Sequence, residues 1–185
     1  MLEFKDVSVA LRGGGFSPPF SLIVEDGERV CLHGGPHTGK SRILLAALGL
    51  CPLASGFITL DGELISLGSA PYFRTMMAYV PQALPEGDIT LTEICRSLQV
   101  NVDKLTEIKA EQYSQKFSDF EPAVVQKLLL SVASLLDRKI LLVDNVIPSY
   151  EVDALLGKIA ARGIEIIYTC KDSRLSFDKE INLSI

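Results

Sequence analysis

Gly34-Gly35-Pro36-His37-Thr38-Gly39-Lys40-Ser41 matches the pattern G-x-x-x-x-G-K-[ST], and the rest of the chain is read outward from it. Glycines let a loop wrap a phosphate chain with its amides pointing inward. Lys40 is placed to supply positive charge at the β and γ phosphates, and the Ser41 hydroxyl to ligate Mg²⁺. Arg29 to Leu32 before the loop reads as a short buried strand, and Ser41 to Leu50 after it as a helix apolar almost all round. A strand, this loop and a helix in that order is the context in which the pattern has a mechanism, because the helix N-terminus favours an anion. All eight residues from Gly34 to Ser41 are candidate ligand contacts. Pro36 has no amide to donate, and His37 reads as a solvent-facing loop residue.

Upstream, Leu2 to Val9 alternates apolar and polar residues as a half-buried strand does, Gly13-Gly14-Gly15 marks a turn, and Phe20 to Val24 is a second strand. Downstream, Ser55-Gly56 leads into a strand over Phe57 to Leu60, turned by Asp61-Gly62, and Met76 to Val80 is a further strand. Residues 83–121 are more polar and read as short helical pieces of an inserted subdomain. Pro122 suits a first helical turn, and Val124, Val125, Leu128, Val132, Leu135 and Leu136 recur at helical spacing. Ile140 to Val143 is a continuous apolar run, as in a parallel strand covered on both faces. Val152 to Arg162 is helical, Ile164 to Thr169 is another buried strand, and a last strand lies near Glu180 to Leu183. Strands alternating with helices indicate an α/β fold with a mainly parallel sheet.

Composition narrows the function classes. At 185 residues the chain is one domain in size, and 48% apolar with 22% charged residues excludes a disordered or fibrous protein. The net charge is −5 and the basic residues are scattered, so a nucleic-acid partner is not expected. Cys31, Cys51, Cys95 and Cys170 lack metal or disulfide spacing and read as core residues in a reducing compartment. No basic start followed by an apolar block marks a signal peptide, so a cytoplasmic location is expected. Ile43 to Leu60 carries no charge over about 18 residues, the threshold for a membrane span. Gly49, Pro52 and Ser55-Gly56 interrupt it, so it reads as a helix, a turn and a strand. Peripheral attachment at the inner face of a membrane through a partner stays open.

Asp144 follows the apolar run Ile140 to Val143 and is the candidate acid for Mg²⁺, directly or through water. Three further stretches single out one family: Ala54 to Gly62 after the first helix, Met77-Ala78-Tyr79-Val80-Pro81-Gln82, and Ile89 to Ile94. In this order and spacing the chain resembles the ATP-binding domain of ABC transporters, from Leu2 to about Leu183. The resemblance implies a P-loop NTPase fold with an N-terminal antiparallel β subdomain and a small helical subdomain at 83–121, within a single domain over 1–185. It implies ATP and Mg²⁺ as cofactors, Gln82 beside the metal and the attacking water, and a membrane permease docked on the helical subdomain. A homodimer or a heterodimer with another ATP-binding subunit would also follow.

The departures from the family concern catalysis. Asn145 stands where the family has a glutamate that acts as general base, and an amide cannot take the proton. The signature loop falls on Phe120-Glu121-Pro122-Ala123-Val124, without its serine and paired glycines. A carboxylate at Glu121, about 4 Å from a second protomer's phosphate, would repel it by on the order of several kcal/mol at an effective dielectric near 20. Gln126 and Lys127 match the polar residues that follow the signature, and Glu151 takes the place of the aspartate after the metal acid. Lys171, within Thr169-Cys170-Lys171-Asp172, stands at the switch histidine. It can donate to a phosphate but is a point charge rather than a tunable imidazole. No aromatic lies at Val9 to Leu11 to stack on adenine, and Phe4 or Phe16 replaces it only with a rearranged loop. The intervals Gln82–Asp144 and Asp144–Lys171 are short for the family.

The first reading is therefore an ATP-binding subunit of an ABC-type membrane complex with weak or partner-dependent hydrolysis. The second is a nucleotide-responsive regulatory module without transport or turnover. A small-molecule kinase fits less well, because its lid is rich in arginine and residues 83–121 contain only Arg96. If Asn145 occupies the base position, Asn145→Glu raises steady-state ATP turnover by about 10²–10⁴-fold. Natural turnover already at the level of an ordinary ATPase, unchanged in the variant, would sink that assignment.

Overall fold

The computed structural model describes residues 1–105, 108–171 and 175–184. Two sheets sandwich a helix. The first is antiparallel: β1 (Leu2–Ser8) pairs with β2 (Phe20–Val24) and with β4 (Ser55–Leu60), which in turn pairs with the short β5 (Glu63–Leu64). The second is built from β3 (Arg29–His33), β6 (Met77–Val80), β7 (Ile140–Val143), β8 (Glu165–Cys170) and β9 (Lys179–Asn182) in the order β6-β7-β8-β3-β9, with parallel pairings throughout. Helix α1 (Lys40–Ala47) lies between them.

The alternation of side chains explains why the parallel strands look uniformly apolar. Ile140 and Leu142 face the core shared with α1 and the antiparallel sheet, whereas Leu141 and Val143 face the opposite core. Val30 and Leu32 divide from Cys31 in the same way. That second core is closed by α4 (Pro122–Ser134) and α5 (Tyr150–Ala160). A third, smaller core joins α4 to residues from Leu84 to Phe120, among them α3 (Leu91–Ser97) and three 3₁₀ turns, Val102–Lys104, Ala110–Gln112 and Phe117–Asp119. A capping box of Thr90 and Glu93 starts α3. Pro122 opens α4 as expected.

The expected strands appear within about one or two residues of their sequence bounds, except that Ser55 and Gly56 already belong to β4. The first helix is shorter than Ser41 to Leu50, starting at Lys40 and ending at Ala47. Helix α2 (Ala70–Arg74) has no counterpart in the sequence reading; at five residues it is too short to show a period. The uncharged run from Ile43 to Leu60 becomes α1, a turn and β4, and no helix among the described residues is long and apolar enough to cross a membrane. Cys31, Cys95 and Cys170 are buried and Cys51 half-buried. The Cys31 and Cys170 sulfurs lie 2.8 Å apart, and this contact together with burial pushes the Cys31 thiol well up.

Asp6 at φ +48° makes a bulge in β1, where the pairing register with both neighbours shifts. Gly56 lies against that bulge. A Cβ there would stand 2.2 Å from the Lys5 carbonyl oxygen and 2.4 Å from that of Asp6, so only glycine lets the strands close.

The two sheets are also joined by charge. Glu165 begins β8 fully buried, accepting from the Leu2 amide at 2.8 Å and meeting the Met1 ammonium at 2.7 Å. Lys139 reaches Asp61 in the β4–β5 turn at 2.6 Å. The Lys139 contact, and then the Met1 ammonium, hold the Asp61 carboxyl below its ordinary range. Stabilisation from Asp61 is thus present above its unfolded pKa, near 3.9, and is lost as pH falls through the lower folded value. Because Asp61 is half exposed, Asp61→Asn should cost under about 1 kcal/mol at pH 7. Urea unfolding across a pH series should show that gap closing below about pH 4; a gap that persists in acid would contradict the pairing.

Candidate functional site: the phosphate loop and the strand-end acid

β3 delivers the chain to Gly34 at the end of the parallel sheet, and the loop returns it into α1 at Lys40. Gly39 is the N-cap at φ +94°, and the helix has no side-chain cap and no acid in its first turn. Its first amides and its dipole are therefore open to an anion. A Cβ on Gly39 would come within 2.8 Å of Val9 Cγ2 and 3.2 Å of Leu11 Cδ2, because the hairpin over residues 9–17 packs against the loop. The Lys40 ammonium turns into the loop and donates to the Gly34 carbonyl at 2.5 Å and the Gly35 carbonyl at 2.6 Å. Burial lowers its pKa, against the opposing pull of Cys170 and Asp144. Thr38 braces the loop by donating to the Gly35 carbonyl at 3.0 Å. Pro36 and His37 are exposed at the tip, His37 at φ +64°.

Asp144 lies at the end of β7, only 3% exposed. Its Oδ1 accepts from the Ser41 hydroxyl at 3.0 Å and from Thr169 at 2.8 Å, and its Oδ2 from the Tyr79 hydroxyl at 3.4 Å. Burial and the Asp144 charge push the Tyr79 phenol up to about 12. The fold thus brings the loop serine and the strand-end acid together across the sheet. A hydroxyl and one carboxylate are the protein share that Mg²⁺ takes when phosphates and waters complete its shell. No group of three or more His, Cys, Asp or Glu that could hold a metal is found among the described residues, so these two would hold it jointly with a phosphate ligand.

Asn145 is half-buried at φ +55°, its amide donating to Thr169 Oγ1 at 2.6 Å and its carbonyl accepting from Gln126 at 3.2 Å. Lys171 is exposed just beyond β8, close enough for its charge to lower the Lys40 pKa; the neighbouring Asp172 lies outside the described residues. Gln82 lies two residues beyond Val80, whose carbonyl accepts from the Asp144 amide at 2.9 Å. It is exposed, makes no hydrogen bond among the described residues and lines a cleft of roughly 520 Å³ with residues 83–87, Phe117, Phe120 and Val125. Glu121 is the exposed N-cap of α4 without a capping hydrogen bond, and Glu151 sits exposed in the first turn of α5.

For the adenine ring, Phe4 is excluded: it is 1% exposed and stacks on Phe20 at 5.7 Å. Phe16 is 66% exposed and bridges to Ala10 in the hairpin whose Val9, Leu11 and Ser17 lie against Gly39. Tyr168 is buried and Tyr150 is exposed, as ordinary packing and surface residues. Thr169, Tyr79 and Gln126 are the site residues that sequence reasoning missed as such. Only the proximity of Tyr79 to Gln82, and the retained polar pair Gln126-Lys127, carried any signal for them.

Residues 18–147 match the sequence profile of the family described as ABC transporter. The chain belongs to the ABC transporter ATP-binding domain family. An uncharacterized ABC transporter ATP-binding protein of Haemophilus influenzae is 31% identical over 83 residues, covering 45% of this chain and 32% of that protein. An ABC multidrug transporter of Purpureocillium lilacinum, lscH, is 36% identical over 62 residues, covering 34% of this chain and 4% of that protein. The matches thus span less than a third of either relative. Among solved structures, a dimeric ATP-binding cassette in a post-hydrolysis state, bound to ADP and phosphate, superposes with a TM-score of 0.79 at 17% identity, over 99% of this chain and 94% of that one. The fold is that of ABC ATPase cassettes, a P-loop α/β fold with one parallel and one antiparallel sheet.

Since Gly39 combines positive φ with a hairpin pressed against it, Gly39→Ala should distort the loop. Nucleotide affinity is expected to fall at least about tenfold, or about 1.4 kcal/mol, by calorimetry. Unchanged affinity would show that the loop tolerates a Cβ there.

Proposed function

We propose that this chain binds ATP with Mg²⁺ and serves as the ATP-binding subunit of an ABC-type membrane complex, with slow or partner-dependent hydrolysis. The observation that carries the reading is the meeting of Ser41 and Asp144, 3.0 Å apart, beside the open N-terminus of α1 and Lys40. Residues 34–39 would wrap the phosphates. Lys40 would exchange its contacts with the Gly34 and Gly35 carbonyls for phosphate oxygens, and Lys171 would add a second positive charge. Bound Mg²⁺ would neutralise charge on the phosphates, with Ser41 and Asp144 as its protein-side groups. Phe16, exposed on the hairpin that packs beside the loop, would be the aromatic available to adenine.

Slow turnover follows from Asn145. Its backbone is held on both sides, by Thr169 and Gln126, and its side-chain amide has no basic site to take a proton from water. Gln82 opens a cleft between residues 83–87 and the stretch from Phe117 to the first turns of α4, and this is the surface where a permease would dock. Such a partner would hold the chain at the inner face of a membrane. A second ATP-binding chain with intact catalytic groups would supply what Asn145 lacks.

A second reading, a nucleotide-responsive regulatory module, draws support from Glu121. Its exposed carboxylate stands at the start of α4, where a sandwich dimer would need to accept phosphate. Calorimetry with ATP and Mg²⁺ tests the cradle common to both readings. Lys40→Ala should weaken binding at least about tenfold, and equal affinity in both proteins would overturn the assignment. Gel filtration of the same samples separates the two readings, since nucleotide-induced dimerisation would count against the regulatory module.

A further inference from the structure

Thr169 is a polar residue in a strand that has no exposed position. All six residues of β8 are buried, and Thr169 itself is 0% exposed. A hydroxyl there needs partners, and it has two on the adjacent strand end. It donates to Asp144 Oδ1 at 2.8 Å and accepts from the Asn145 amide at 2.6 Å. The polarity is forced. The amide can only donate, so the single hydroxyl proton is left for the carboxylate. The Thr169 carbonyl adds a third tie, accepting from the Val146 amide at 2.9 Å.

The segment following Asp144 is held from the other side as well. Gln126, 1% exposed on α4, donates to the Asn145 carbonyl at 3.2 Å and accepts from the Ile147 amide at 2.8 Å. Between these two clamps Asn145 keeps its left-handed φ of +55°. The acid and the backbone after it are therefore fixed relative to β8 by one β-branched side chain, which is stiff at χ1. Tyr79 is a longer contact on the other carboxylate oxygen, at 3.4 Å.

We propose that Thr169 is the positioning residue that sets the orientation of the Asp144 carboxylate, and through it the dependence of nucleotide binding on Mg²⁺. The proposal rests on the reading of Asp144 as the metal-side acid. Removing the hydroxyl leaves Asp144 Oδ1 with Ser41 alone and the Asn145 amide without its partner. Valine keeps the branched shape without the hydroxyl, and serine keeps the hydroxyl without the methyl.

The test measures ATP affinity by calorimetry, with Mg²⁺ and with EDTA, for the natural protein, Thr169→Val and Thr169→Ser. Thr169→Val should lose about tenfold of the enhancement that Mg²⁺ gives while keeping its affinity in EDTA, and Thr169→Ser should recover most of that loss. An intact Mg²⁺ enhancement in Thr169→Val overturns the proposal. So does an equal loss in both variants and in both conditions, which would be a packing effect. If Thr169→Val does not fold, as judged by thermal melting, Thr169→Cys replaces the hydroxyl with a weak donor of similar volume. It should then show a partial loss, in Mg²⁺ only; an intact enhancement would overturn the proposal equally. Lys40→Ala run in parallel separates the two levels. If it leaves ATP binding intact, the phosphate-loop reading itself falls, whatever Thr169 does.

Discussion

Helix α1 is buried between two sheets, and this placement governs the geometry of the site. Ile43, Leu44, Ala46 and Ala47 are buried in the core that Phe4, Ile58 and Leu60 share with Leu32, Leu142 and Ile167. Fully burying each large aliphatic side chain is worth about 1.5–3 kcal/mol, so the axis of the helix is strongly determined. Its N-terminus is then held at the end of the parallel sheet, where β3 arrives and β7 ends. The loop has only to bridge that fixed gap. The meeting of Ser41 with Asp144 follows from the same arrangement, because one is on the helix and the other on a strand packed under it.

Around this frame two carboxylates among the described residues are buried, and both have partners. Asp144 is buried with three hydroxyls on it, and Glu165 is buried with an amide and cations near it. A carboxylate left alone in such an interior would cost several kcal/mol. The two acids serve different ends of the sheet. Glu165 joins the parallel sheet to the antiparallel one, and Asp144 faces the loop.

What could be read in the sequence was what is contiguous in it. Gly34 to Ser41 carries its chemistry within eight adjacent residues, and Ile140 to Val143 shows its burial in its composition. Phe4 stayed a candidate for the nucleotide until its burial against Phe20 was seen, although β1 was read as an alternating strand. Thr169 was not legible. It sits in a buried strand like any β-branched residue, and its partner is 25 positions away on another strand. Gln126 offered only a polar residue on a helix; that it clamps the backbone at 145 and 147 depends on how α4 lies over the sheet. Gln82 was assigned to the metal from its motif; β6, which it follows, pairs with the strand that runs up to Asp144.

The strand order has a further consequence, for how the protein acquires this site. β3 carries the phosphate loop, and both of its neighbours in the sheet, β8 and β9, come from residues 165–182. The antiparallel sheet, by contrast, pairs strands drawn from residues 2–64. During synthesis the antiparallel unit can assemble early, while β3 waits with its edges open for strands made more than a hundred residues later. Such non-local parallel pairing forms slowly and leaves unpaired edges exposed meanwhile. The nucleotide cradle therefore depends for its sheet neighbours on strands made more than a hundred residues after its own.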